Sequence, residues 1–265
     1  MKAIFLDIDG VLQPGHFQNR FKHIAEISEL AIKLNEELHN GFDYYALAGG
    51  DKEKDNTSYS NKYDIGAVYW DWHPEAVENL HRIIDETGAK IVLSTDWRGR
   101  GLEDMRGLLD IKGFGKYVYG ATFFSASYGS AAKHYTQEER YKMWNDCNKT
   151  FENLHSQLSL QYPRHKDVGI FVSGSFEMRS VEIWEYLDRH PEITSYVAID
   201  DIYLGCGLER HFVWSRRSWL RKEESDMMIE ALGIEDGPYH LPDTVVTDDL
   251  KRFREEWIED SKHYY

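Results

Sequence analysis

The chain opens with a compact apolar run, Ala3–Leu6, that breaks into Asp7-Ile8-Asp9-Gly10. A continuous apolar stretch ended by acidic residues and glycine predicts a buried parallel strand feeding a loop. Between residues 21 and 40 the apolar positions Ile24, Ile27, Ala31, Leu34 and Leu38 recur at spacings of three and four. That period predicts an amphipathic helix, with Gly41 as its stop. Residues 49–64 are mostly Gly, Asp, Lys, Asn and Ser and read as a mobile loop. Pro74 and Glu75 open a second helix with Val77, Leu80, Ile83 and Ile84 on one face, and Gly88 ends it. Ala89–Leu93 repeats the buried-strand pattern and runs directly into Ser94-Thr95-Asp96-Trp97-Arg98. A short helix over 102–110 and a strand over 117–122 follow.

From Phe123 the pattern loosens into a Ser/Gly/Ala-rich stretch, 125–132. Thr136 and Glu139 then form a capping-box pattern ahead of a long helix with the stripe Trp144, Cys147, Phe151, Leu154 and Leu158. Further expected elements are a strand at 168–172, a helix at 181–187, and a strand at 196–199 that ends in Asp200-Asp201. An edge strand at 212–214 and a helix at 222–232 come next. The tail, 248–261, reads as an amphipathic helix with Asp248 and Asp249 in its first turn, where they suit the helix dipole. There is no internal repeat.

Strands alternating with helices predict an α/β fold, a Rossmann-like, doubly wound, mostly parallel sheet with helices on both faces. The core is expected over 1–12, 71–122 and 176–265, with two helical cap insertions at 13–70 and 123–175. Both insertions leave the chain just after a strand's carboxyl end, where open α/β sheets bind ligands, so they are placed to cover a site.

Composition narrows the picture. With 265 residues, 42% of them hydrophobic, the chain is long enough for one large core and is not globally disordered. The net charge of −15 and the absence of any Lys/Arg run longer than Arg216-Arg217 or Arg221-Lys222 argue against an extended nucleic-acid groove. A nucleotide, or one end of a strand, stays open as a partner. Cys147 and Cys206 do not make a disulfide framework and read as reduced and buried. The apolar run at the start is too short for a signal peptide, and no other run approaches the roughly twenty residues of a membrane span. The expectation is therefore a cytoplasmic protein with no membrane partner, of an oligomeric state the sequence does not reveal.

Three strand ends carry polar residues: Asp7 and Asp9, Ser94 and Thr95, Asp200 and Asp201. If those strands are neighbours, four carboxylates share one crevice, and like charges at that range must be relieved. A hard cation does so, and oxygen ligands without a Cys/His set select Mg²⁺ over zinc. The twelve His show no zinc-type spacing, and Leu12, Gln13 and Pro14 do not supply the further ligands of a calcium loop. A divalent ion beside a free carboxylate suits phosphoryl transfer through an aspartyl-phosphate, with a basic side chain holding the equatorial oxygens. Arg179, at the start of the helix before the Asp200-Asp201 strand, is the candidate; Lys133, Lys166 and Arg98 are its rivals. Either Ser94 or Thr95 faces the phosphate, and Arg98 either holds phosphate or pairs with a core acid. Trp70, Trp72 and Trp97 flank these motifs, as core packing or as a stacking surface for a base or sugar.

Asp7-Ile8-Asp9-Gly10-Val11 resembles the first motif of the haloacid dehalogenase superfamily. Ser94 is similar to its second motif, Arg179 to the basic residue of its third, and Asp200-Asp201 to its fourth. The resemblance covers roughly 1–12, 70–122 and 176–232. Ile91-Val92-Leu93-Ser94-Thr95-Asp96-Trp97-Arg98 with Ala198-Ile199-Asp200-Asp201 is similar to one small branch, the phosphatase-like domain of Swiss Army Knife RNA repair proteins. The resemblance implies Asp7 as nucleophile, Asp9 as general acid and base, and Ser94 as a phosphoryl hydrogen-bond donor. Gly10, Thr95 and Arg98 would lie around the phosphate. It implies Mg²⁺ on Asp7, the Asp9 backbone carbonyl, Asp201, and Asp200 directly or through water. The second acid, Asp9, favours phosphatase over dehalogenase chemistry. The expected function is a phosphomonoesterase acting on a small phosphorylated metabolite or nucleotide. The alternatives are a phosphatase of nucleic-acid ends and a non-catalytic binding module on the same fold.

Overall fold

The computed structural model describes residues 1–49, 62–122, 137–161, 178–216 and 218–241, with isolated positions further on. Five strands, β1 (Lys2–Leu6), β2 (Lys90–Leu93), β3 (Val118–Ala121), β4 (Ser195–Asp200) and β5 (Phe212–Trp214), form one sheet in the order β3-β2-β1-β4-β5. Every pairing is parallel. The helices among the described residues are α1 (Ile27–Leu38), α2 (Tyr44–Leu47), α3 (Lys62–Gly66), α4 (Pro74–Thr87), α5 (Leu102–Asp110), α6 (Gln137–Gln161), α7 (Met178–Arg189), α8 (Gly205–Leu208) and α9 (Lys222–Ala231). None of them is long and apolar enough to cross a membrane.

Side-chain alternation along β1 sorts the core into two layers. Ile4 and Leu6 face α1, α4, α5 and α9, while Ala3 and Phe5 face α7. Phe5 meets the rings of Tyr186 and Tyr196 edge-on, each at 5.7 Å. Helices thus cover both faces, which is why the strands are apolar throughout rather than alternating. From β1 the chain moves outward to β2 and β3, then returns to β4 on the other flank of β1. The winding reverses between β1 and β4, and a crevice opens at their carboxyl ends.

The described part of residues 13–70 packs into the core of the sheet. Leu30, Ala31, Leu34, Tyr44, Ile65, Ala67 and Val68 are buried with Ile4, Leu6, Met105 and Leu108. The Tyr44 hydroxyl donates to the Gly107 carbonyl of α5 at 2.8 Å. Gly107 has no side chain for a reason: a Cβ there would stand 2.5 Å from the Phe42 ring. Below this docking, a π-helical turn, Ala67–Asp71, buries Asp71, which takes both the backbone N–H and the guanidinium of Arg20.

Three local expectations are corrected. The helix expected from Phe21 begins at Ile27, after two 3₁₀ turns, Asn19–Lys22 and Ile24–Glu26. The Arg20 anchor on Asp71 holds that stretch against the π-helical turn instead. The helix stops at His39, in the left-handed region at φ 46°, ahead of Gly41. Asn40 turns the chain there by donating to Asp110 at 2.6 Å and accepting from the Phe42 N–H at 3.0 Å. Residues 62–64 belong to α3 rather than to a loop. The expectations for 50–61, 125–136, 168–172 and the tail helix, and for the side chains of Trp144, Cys147 and Cys206, lie outside the described residues.

Tyr44→Phe removes only the hydroxyl of a fully buried ring, and with it the donor to the Gly107 carbonyl and the acceptor of Asn40 Nδ2. Stability is expected to fall by about 1–3 kcal/mol, read from urea unfolding with an unchanged slope. An unaltered midpoint would mean that this bond does not fasten residues 27–48 to α5.

Candidate active site

Register brings the strand ends to one level. Leu6 pairs with Leu93 and with Ile199, so the next residues, Asp7, Ser94 and Asp200, emerge side by side. The ladder continues one step past the strands: Asp7 N–H donates to the Ile199 carbonyl at 3.1 Å and Ser94 N–H to the Leu6 carbonyl at 2.9 Å. Ser215 N–H does the same for the Asp200 carbonyl at 2.9 Å. Backbone hydrogen bonds therefore aim the side chains.

Asp7, Asp200 and Asp201 each bring a carboxylate oxygen into a cluster spanning no more than 4.8 Å. Asp7 and Asp200 are buried, and Asp201 stands at the rim. Arg179, in the first turn of α7, reaches into the cluster. Its Nη1 lies 2.7 Å from Asp200 Oδ2 and 3.3 Å from Asp7 Oδ1, and its Nη2 lies 3.0 Å from Asp96 Oδ1. Ile202 N–H holds the other Asp200 oxygen at 2.8 Å. Lys133 and Lys166, the sequence rivals of Arg179, lie outside the described residues.

One guanidinium does not neutralise this crevice. Burial, reinforced by the charge of Asp200, holds the Asp7 carboxyl well above the usual range even against Arg179. Burial pushes Asp200 up to about 6, again against Arg179, and partial burial raises Asp201. For Arg179 itself burial works against the charge, but Asp200 and Asp7 outweigh it and raise the guanidinium above its ordinary value. Three converging acids, raised chiefly by burial, leave the cluster short of positive charge. The three converging carboxylates, with no Cys or His among them, fit a hard cation of the Mg²⁺ class.

Gly10 makes the close packing feasible. It sits at φ +74°, and a Cβ on it would run into the Asp201 carboxylate. Its N–H donates to the Gln13 carbonyl at 2.8 Å and its carbonyl accepts from Ser215 Oγ at 2.7 Å, so the loop is fixed on both sides. Gly10 thereby acts through backbone geometry, letting the acidic loop pass Asp201.

The two hydroxyls differ. Thr95 Oγ1 accepts from Trp97 N–H at 3.4 Å and caps the 3₁₀ turn Asp96–Arg100. Ser94 Oγ is buried and has no hydrogen-bond partner among the described residues. Arg98 is buried, bonded to the Glu182 carboxylate of α7 and to the Thr95 carbonyl. Of its two sequence alternatives, pairing with a core acid is the one its contacts describe.

Asp9 is solvent-exposed and stands apart from the three-carboxylate cluster. Its Oδ2 accepts from Trp97 Nε1 at 2.9 Å. The sequence reading had Trp97 as packing or a stacking surface; the available signal was that a mostly buried indole N–H needs an acceptor. Trp72 is buried in the core and Trp70 stacks on His23 at 4.8 Å, so the three tryptophans serve three separate places. Trp214, expected only as the end of an edge strand, and Ser215 carry no sequence signal for their place beside the site. They hold the backbone carbonyls of Asp201, at 2.9 Å, and of Gly10.

Gly10→Ala is expected to cost about 1–2 kcal/mol from backbone strain alone. Overpacking against Asp201 adds to that, on the order of 1–3 kcal/mol. Denaturant unfolding of Gly10→Ala, Asp201→Ala and the double variant separates the two, because the overpacking part appears only as coupling between the sites. Strictly additive effects would contradict the contact.

The family model described as the HAD domain in Swiss Army Knife RNA repair proteins matches residues 3–225. No curated protein and no solved structure matches the chain. The matched span takes in Asp7, Asp9, Ser94, Arg179, Asp200 and Asp201. The chain belongs to the family of HAD domains found in Swiss Army Knife RNA repair proteins, and so to the haloacid dehalogenase-type hydrolases.

Proposed function

We propose that this protein is a magnesium-dependent phosphomonoesterase in which Asp7 is the covalent nucleophile. The observation that carries the reading is the cluster of buried Asp7 and Asp200 with exposed Asp201, and Arg179 bonded to the two buried acids, at the switch point of the sheet. Mg²⁺ held by Asp7, Asp200, Asp201 and the Asp9 backbone carbonyl would supply positive charge to a phosphoryl oxygen and to the acids around it. An Asp7 oxygen attacks phosphorus while the bond from phosphorus to the leaving oxygen breaks. Asp9 gives its proton to that oxygen, so an alcohol departs and an aspartyl-phosphate remains. Water then attacks the phosphorus, Asp9 takes a proton from it, and Asp7 is released with inorganic phosphate. Arg179 and the Ser94 hydroxyl, which has no partner among the described residues, lie on elements neighbouring Asp7 and are the groups to hold the equatorial oxygens.

The substrate proposed is a small phosphorylated metabolite or nucleotide, chosen by the insertions 13–70 and 123–175. A second reading, removal of phosphate from an RNA end, is favoured by the description of the matching family. The charge of −15 weighs against a long strand and leaves an end as the part engaged.

Two measurements test the chemistry. Turnover of phosphate esters should vanish on full chelation with EDTA and return with Mg²⁺, and Mg²⁺ should raise the melting temperature of the substrate-free protein. Activity that survives chelation refutes the metal requirement. Asp7→Asn, nearly isosteric, should keep the fold and lose roughly four orders of magnitude or more in kcat. A single turnover with ³²P-labelled ester should leave label on the wild type and none on Asp7→Asn. Label persisting on the variant would show that another residue attacks.

A further inference from the structure

A general acid must be held where its proton meets the leaving oxygen, and Asp9 lacks the means that fix the other acids. Asp7 and Asp200 are buried and gripped by Arg179, whereas Asp9 is exposed and outside their cluster. What holds its carboxylate is the Trp97 indole N–H, 2.9 Å from Oδ2. Trp97 is itself immobilised from several sides. Its backbone N–H is capped by Thr95 Oγ1, its carbonyl accepts from Arg100 Nη1 at 3.4 Å, and the Arg100 guanidinium lies 4.8 Å from its ring centroid. Arg100 is in turn clamped through Nε and Nη2 by both carboxylate oxygens of Asp64, on α3. The residue as a whole is 7% exposed.

We propose that Trp97 is the positioning residue for Asp9, and that the Asp64–Arg100 pair braces it from the first insertion. This rests on the phosphatase reading above. An indole suits the task on chemical grounds. A neutral N–H bonded to one oxygen fixes the orientation of the carboxyl group while stabilising its ionised form less than a full cation would. Bonding at Oδ2 directs the proton-carrying role to Oδ1. The Asp64–Arg100 clamp means that whatever moves α3 also moves the brace behind the acid.

The test compares Trp97→Phe, which keeps a ring and loses the N–H, with wild type on two esters. One is 4-nitrophenyl phosphate, whose leaving group departs without a proton. The other is a simple alkyl phosphate, whose leaving group requires one. Asp9 also serves as base when water releases the phosphate, a step shared by both esters, so the comparison is made on kcat/KM, which reports only the steps through aspartyl-phosphate formation. Misplacing the acid is expected to lower kcat/KM for the alkyl ester about 10- to 100-fold, up to the lower end of what such catalysis supplies, and kcat/KM for the nitrophenyl ester by less than about 3-fold. Loss of equal size on both esters, or on neither, overturns the assignment. Should Trp97→Phe fail to fold, Arg100→Ala keeps the indole and removes its brace, and is read for the same leaving-group selectivity. A second readout needs no turnover: the indole ¹H–¹⁵N resonance that disappears in Trp97→Phe should shift in Asp9→Asn. A resonance indifferent to Asp9 overturns the contact. Wild type inert toward both esters and toward end-phosphorylated oligonucleotides with Mg²⁺ would instead overturn the phosphatase reading, and this role with it.

Discussion

Everything at the carboxyl edge of this sheet depends on one electrostatic constraint: two carboxylates, Asp7 and Asp200, are buried side by side with a single guanidinium between them. Burying a charge is costly unless it is paired and hydrogen-bonded. Here the pairing is incomplete, since both acids stay raised despite Arg179. The fold holds this arrangement by spending backbone geometry on it. Asp7 is the next ladder position after β1, Asp200 ends β4, and the reversal of winding between these strands leaves their ends uncovered by a crossover. Gly10 lets the loop after Asp7 pass Asp201, and Ser215 and Trp214 fasten the carbonyls on either side. An unrelieved acidic crevice of this kind is a place for a cation and an anionic ester together.

Two ion pairs fasten the described part of residues 13–71: Arg20 is bonded to the buried Asp71 at the end of the π-helical turn, and Asp64 of α3 to Arg100, which lies on the turn that carries Trp97. The Arg100 pair is the nearer to the site, because its guanidinium lies on the ring that bonds Asp9. A change in α3 would thus be felt first by the exposed acid and last by the buried cluster, which is anchored by strands instead.

Much of this was legible because the signals were local. Ala3–Leu6 and Ala89–Leu93 are buried on both faces, so their apolar runs are continuous and their acidic or hydroxyl ends stand out. The choice of Asp7, Asp9, Asp200 and Asp201 needed only strand ends and the cost of like charges, and of these four carboxylates the structure brings three together, with Asp9 outside the cluster. The start of α1 was not legible, since the Arg20–Asp71 bond that sets it joins residues 51 positions apart. The partner of Arg98 was equally hidden, as Glu182 lies 84 positions away on α7. Ser94 and Thr95 are adjacent hydroxyls after one strand, and only the local cap that engages Thr95 tells them apart. Trp97 was visible as a residue and silent as to role, because an indole gives the same apolar signal whether its N–H meets a catalytic acid or water.

The central claim, that the raised carboxylate cluster is a nucleophile beside a cation site, is tested most directly by a crystal structure grown with Mg²⁺ and beryllium fluoride, which imitates a phosphoryl group on a carboxylate. The account predicts trifluoroberyllate bonded to an Asp7 oxygen, with one octahedral ion shared among Asp7, Asp200 and Asp201 and with Ser94 and Arg179 on the fluorines. A fluoride adduct on any other residue, or an ion bound away from these three carboxylates, would contradict it.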